Sequence, residues 1–121
     1  MTTRESVIVS KPWGHEEIWA ETDAYIGKRM YIKPGHRMSL QYHEIKEETV
    51  FVLDGKLRIW TSEIDSDYID LIAGEIYHVS PKQIHRFGCP KESTFACSIM
   101  EVSTAHLKDV VRLKDDYSRQ Q

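Results

Sequence analysis

Cysteine is nearly absent from this chain. Cys89 and Cys97 are the only two, too few for the disulfide framework that staples small secreted domains. They read as free, partly buried thiols of a cytoplasmic protein. No apolar run approaches the roughly 20 residues needed to cross a bilayer, so no membrane partner is expected. Met1-Thr2-Thr3-Arg4-Glu5 leads into only a short apolar stretch, which does not read as a signal peptide. Positive charge is not in excess either. The formal net charge is -3, which excludes the basic footprint of a nucleic-acid binder or a polybasic membrane patch. Repeats, low-complexity tracts and linkers are also lacking.

What is present is ordinary for a globular protein, with 40% hydrophobic and 29% charged residues. A chain of 121 residues is long enough for a real core and too short for two, so residues 1–121 are expected to form one domain. Strand-like runs fall at 7–9, 17–19, 29–32, 38–43, 49–53, 56–61, 68–71, 76–79, 84–87 and 94–101. Strands this short and evenly spaced predict an all-β sandwich or barrel. Asp54-Gly55 is the strongest hairpin signal, and Lys33-Pro34-Gly35 and Ile72-Ala73-Gly74-Glu75 read as further turns. Only residues 104–111 look helical, for two turns at most.

The chemistry concentrates between Gly35 and Gly55. Side chains alternate faces along a strand, so Gln41 and His43 point one way while Leu40 and Tyr42 point the other. A short turn then brings Glu48 to the start of the next strand-like run. An O, N, O donor set suits a divalent cation of intermediate softness rather than a thiolate-bound structural zinc. A further histidine, His85, lies downstream.

In full the spacing is G-x(5)-Q-x-H-x(4)-E-x(6)-G, from Gly35 through Gln41, His43 and Glu48 to Gly55. It resembles the first motif of the cupin superfamily, with Gln41 in place of the usual His. The second cupin motif is matched by Gly74 and His85, with Ser80 in the usual Pro place, Lys82 in the usual Gly place and Cys89 in the usual Asn place. The spacing to Gly55 selects Glu48 over Glu47 as the carboxylate ligand.

A narrower resemblance spans nearly the whole chain. Lys11-Pro12-Trp13-Gly14, Ser39-Leu40-Gln41-Tyr42-His43, Ile84-His85-Arg86 and the terminal Asp115-Asp116-Tyr117-Ser118-Arg119 are similar to the type II phosphomannose isomerase domain. That family uses Gln in the first ligand place, and its terminal D-D-Y-G-R reads here with Ser118 in the Gly place. The resemblance implies a single-domain cupin, a double-stranded β-helix or jelly-roll barrel. It implies one divalent metal ion (Zn, Ni, Fe, Mn or Co) held by Gln41, His43, Glu48 and His85.

The activity implied is aldose–ketose isomerisation of mannose 6-phosphate and fructose 6-phosphate. Lys33 and Glu47 are the candidate acid–base residues, and Arg112, Arg119 and Lys33 are the candidates to hold the sugar phosphate. Nucleotidyl transfer is excluded, because no glycine-rich phosphate loop occurs. Ser118 would strain its turn if the Gly it replaces has a positive φ. Two alternatives stand beside the isomerase: a non-isomerase cupin (a metal-binding carbohydrate-binding or epimerase-like module of sugar-nucleotide metabolism), and a metal-free structural barrel. A homodimer is expected, with the run 6–10 as an edge strand available for pairing.

Overall fold

The computed structural model describes residues 4–106 and 108–119. These form eleven strands and no helix: β1 Val7–Lys11, β2 Gly14–Glu21, β3 Tyr25–Ile32, β4 Leu40–Tyr42, β5 Glu48–Asp54, β6 Lys56–Trp60, β7 Tyr68–Ile72, β8 Ile76–Val79, β9 Arg86–Gly88, β10 Cys97–Thr104 and β11 Val111–Lys114. A six-stranded sheet runs β1-β2-β3-β10-β5-β8, a three-stranded sheet runs β7-β6-β9, and β11 pairs with β4. All pairings are antiparallel. The all-β expectation holds.

Alternation along the strands makes the interior. In β3, Ile26, Lys28, Met30 and Ile32 are buried while Tyr25, Arg29 and Tyr31 are exposed. The register places Ile99 of β10 opposite both Met30 and Val52. These residues join Leu57, Ile59, Val79 and Phe87 in the core. Burying a side chain of this size stabilises by about 1.5–3 kcal/mol. Cys89 and Cys97 are buried free thiols, and burial pushes the Cys97 thiol up to about 12.

The interior changes character along the strands. Ile32, Met30 and Lys28 follow one another on the inner face of β3, Cys97, Ile99 and Glu101 on β10, and Val52, Val50 and Glu48 on β5. One end of the barrel is therefore a packed apolar core. The other is lined by charge, and Lys28 and Glu101 are direct cross-strand partners there.

Three local expectations are corrected. Asp54-Gly55 is not a hairpin turn, because β5 and β6 belong to different sheets; the turn carries the chain across the barrel. Gly55 has φ +79, and a Cβ there would lie 2.8 Å from Ala96 O, so glycine is required by both conformation and space. The residues read as helical, 104–111, contain no helical turn among the described positions; Leu107 lies outside them. Asp109 and Thr104 there bond to the backbone amides of residues 44–47. From Val111 the chain pairs with β4. Tertiary ties outweigh local helix propensity. Finally, the strand read at 94–101 is displaced to Cys97–Thr104.

Candidate metal centre

His43 follows β4, Glu48 opens β5 and His85 lies just before β9. All three are buried, at 3%, 2% and 0% exposure, and their donor atoms lie within 4.8 Å of one another. Glu48 Oε1 is 3.5 Å from His43 Nε2 and 3.0 Å from His85 Nε2. The other ring nitrogens face main-chain carbonyls: His43 Nδ1 faces Asp109 O, and His85 Nδ1 is 2.9 Å from Gln83 O. A carbonyl only accepts, so each Nδ1 carries a proton and each ring turns its Nε2 toward Glu48.

Both Nε2 atoms are buried without a hydrogen-bond partner among the described residues. Two imidazole nitrogens and a carboxylate facing one point make a donor set that a cation would complete once the rings present their lone pairs. The donor set fits a divalent ion of the borderline class. Burial would raise the Glu48 carboxyl, but the imidazole edges, Glu101 and Lys46 hold it well below the usual range. Gln41 joins the cluster through the backbone, where it and His85 form an isolated antiparallel bridge. Arg112 of β11 pairs with Gln41 on its other side. Directly paired residues share a face, so Arg112, Gln41 and His85 form one row. The Ser39 hydroxyl donates to Gln41 Oε1 at 3.0 Å.

A cavity of about 300 Å³ opens beside this cluster, lined by Gln41, His43 and Glu48 and by a set of buried charges. The charges form an alternating chain. Lys11 Nζ lies 3.2 Å from Glu16 Oε1, and Lys28 Nζ 2.8 Å from Glu16 Oε2. Lys28 is 3.9 Å from Glu101, Lys46 is 3.4 Å from Glu101, and Lys46 is 3.2 Å from Glu48. Burial, then the neighbouring Glu48, push the Glu101 carboxyl up to about 8 against the pull of Lys46 and Lys28. Arg112 and Arg119 complete the lining, so five cationic side chains stand against three carboxylates in a protein of net charge -3.

The family profile described as "Mannose-6-phosphate isomerase C-terminal" matches residues 2–115. The chain belongs to that family. No curated protein matches it significantly. Among solved structures this family member is similar to the capsular polysaccharide assembling protein CapF of Staphylococcus aureus, with a TM-score of 0.75 and 16% identity over 93% of this chain. It spans 35% of CapF. It is also similar to the polyketide cyclase RemF of Streptomyces resistomycificus (TM-score 0.75, 16% identity, 93% of this chain and 86% of that one). An RmlC-like cupin of Shewanella frigidimarina gives 0.70 and 14% over 85% of this chain and 86% of that one. At these identities the likeness shows the cupin fold alone.

The cupin therefore brings His43, Glu48 and His85 together and places Gln41, Arg112 and Arg119 on the same cavity. Arg119 is held there by Asp115, with contacts of 2.9 and 3.1 Å. Two predicted residues lie elsewhere. Lys33 is exposed beyond the end of β3 and does not line the cavity. Glu47 is exposed and pairs with His78 at 3.0 Å. They miss the site for simple reasons: Lys33 follows inward-facing Ile32, and Glu47 precedes inward-facing Glu48, so alternation turns both outward. Lys28, Lys46, Glu16 and Glu101 were missed. For Lys28 the signal was a charged residue in the inward slot of an otherwise apolar alternation, between Ile26 and Met30; Lys46 lies in the turn before β5 and carried no such signal.

Proposed function

We propose that this protein is a metal-dependent sugar-phosphate isomerase of the mannose 6-phosphate to fructose 6-phosphate type. The observation that carries the reading is the convergence of the buried His43 and His85 Nε2 atoms on Glu48, within 4.8 Å of one another, at the wall of a cationic cavity. Gln41, His43, Glu48 and His85 would hold one divalent ion, which supplies Lewis acidity for the carbonyl and hydroxyl oxygens at C1 and C2. Arg112 and Arg119 bind the phosphate, since a guanidinium matches its oxygens in a planar fork. The excess of cations concentrates an anionic substrate in a low-dielectric cavity.

Isomerisation moves one proton between C1 and C2 and another between the two oxygens. Among the described cavity-lining carboxylates outside the ligand set, Glu101 stands next to the centre and Glu16 farther along the charge chain. By position we assign the carbon-bound proton to Glu101, replacing Glu47. The test is a coupled assay of mannose 6-phosphate isomerisation with Zn, Ni, Fe, Mn and Co added separately. Turnover that follows metal occupancy supports the reading.

One observation favours the alternative of a metal-binding carbohydrate module without turnover: Lys28, Lys46 and Glu101 are all engaged in ion pairs. Full occupancy with no turnover would select it. We further propose a homodimer. Its support is β1, the edge strand of the six-stranded sheet, where Val7 and Ile8 are 53% and 65% exposed. Light scattering on the purified protein tests this, and a monomer at micromolar concentration overturns it.

A further inference from the structure

We infer that Asp109 and Gln83 are positioning residues that fix the two ligand imidazoles, each through its own main-chain carbonyl. The inference rests on reading His43 and His85 as metal ligands. Neither residue belongs to the motif that identifies the ligands.

A carbonyl selects a histidine tautomer only if its own peptide is fixed. Both carbonyls here lie outside the strands, where no ladder holds them. Their side chains supply what the ladder does not. The Asp109 carboxylate accepts from three consecutive amides, Glu44 N at 3.0 Å, Ile45 N at 2.8 Å and Lys46 N at 2.8 Å. Those amides directly follow His43, so one residue grips both the ring and the backbone beyond it. The same grip seats Lys46, whose Nζ bridges Glu48 and Glu101.

Gln83 repeats the device for His85. Its Oε1 accepts from Ser80 N at 3.0 Å, and its Nε2 donates to the Tyr77 hydroxyl at 2.9 Å. Its own amide donates to Ser80 O at 3.2 Å. The turn between β8 and β9 is thereby closed, and Gln83 O points at His85 Nδ1. Two unrelated loops thus solve one problem. Each holds Nδ1–H so that Nε2 presents a lone pair to the same point. Groups that orient a ligating imidazole typically contribute 10–100-fold in metal affinity.

The test uses the full chain and compares wild type with Asp109→Ala, Asp109→Asn, Gln83→Ala and a control, Asp70→Asn. Asp70 pairs with Arg58 on the three-stranded sheet. Co(II) and Zn(II) affinities are measured by chelator competition. Imidazole tautomers are read in the metal-free protein from long-range nitrogen–proton NMR correlations. We expect Asp109→Ala to weaken metal binding roughly 10–100-fold and to release His43 from the Nδ1–H tautomer while His85 keeps it. Gln83→Ala should do the reverse, and Asp70→Asn neither. Should Asp109→Ala fail to fold, Asp109→Asn, which keeps one acceptor oxygen, and Gln83→Ala on the other loop decide. Affinities within twofold of wild type, or unchanged tautomers, overturn the inference. Wild-type protein that binds neither ion sinks the metal reading instead, and the tautomers still decide the positioning role.

Discussion

Gln41 and His85 exchange both backbone hydrogen bonds, at 3.0 and 2.9 Å, although each lies in a different part of the cupin pattern. The bridge locks the neutral amide onto the same face as the imidazole. An amide oxygen is a weak ligand without charge, so Gln41→Ala should lower metal affinity about tenfold, while His43→Ala, Glu48→Gln and His85→Ala should abolish stoichiometric binding. Elemental analysis of protein prepared without chelator checks this. Full metal content in any of the last three removes that residue from the ligand set.

The charged cavity makes a second prediction. Glu101→Gln should keep its metal and lose isomerase rate by about 10²–10⁴-fold, the usual contribution of a positioned acid–base group. Arg112→Met and Arg119→Met should act mainly through KM. Lys33→Ala and Glu47→Ala, both outside the cavity, should stay within about twofold of wild type. A large loss of kcat in Glu47→Ala, with metal retained, would return the base to that residue.

Much of this centre was legible in the sequence, for a local reason. Alternation puts Gln41 and His43 on one face, and the spacing of the cupin pattern to Gly55 picks out Glu48 across the turn. His85 was found through the second motif, despite its displaced Pro and Gly. The charge chain was not legible. Glu16 and Lys28 lie on the directly paired β2 and β3, but Glu101 joins them only because β10 inserts between β3 and β5, and nothing local encodes that insertion. Nor was β11, because Thr104 and Asp109 spend their polar groups on residues 44–47 instead of on a helix. The Asp54-Gly55 signal was right about the turn and wrong about its partners.

A third prediction concerns backbone conformation. Lys82 and Ser118 have φ of +68 and +59, and they occupy the two places where the resemblance puts glycine. The expected strain at Ser118 is thus present. A non-glycine residue in this region costs about 1–2 kcal/mol, partly offset by the greater freedom of glycine in the unfolded chain. Lys82→Gly and Ser118→Gly should each stabilise by about 0.5–1 kcal/mol, a rise of roughly 2–6 °C in Tm. Thermal unfolding that shows either variant less stable rejects the assignment for that position.

The fourth prediction is a pH dependence. Burial would raise the Glu16 carboxyl, but Lys28 and Lys11 outweigh it and hold it below its ordinary value of 4.5. A carboxylate depressed in the folded state stabilises above its unfolded pKa, and that contribution is lost as pH falls through the folded pKa. Glu16→Gln leaves the part-exposed Lys11 without its carboxylate and Lys28 with only Glu101 at 3.9 Å, so it should cost about 1–3 kcal/mol at pH 7. The difference from wild type should shrink below pH ~4. Urea unfolding from pH 7 to pH 3 measures it; a difference that grows on acidification contradicts the ion-pair account.

The small β4–β11 sheet has one more consequence. It carries Gln41 and Arg112, and it joins the three-stranded sheet through two isolated bridges, Gln41–His85 and Arg37–Gly88, the bond from Met38 N to Phe87 O at 2.8 Å, and the Arg86 side chain on Lys114 O. With two-residue bridges where β3 and β10 have a continuous ladder, this wall is expected to open locally more readily than those strands. A ligand held in the cavity beside this wall would stabilise the fold by RT ln(1 + L/Kd) at free-ligand concentration L, a gain that grows with the logarithm of its affinity.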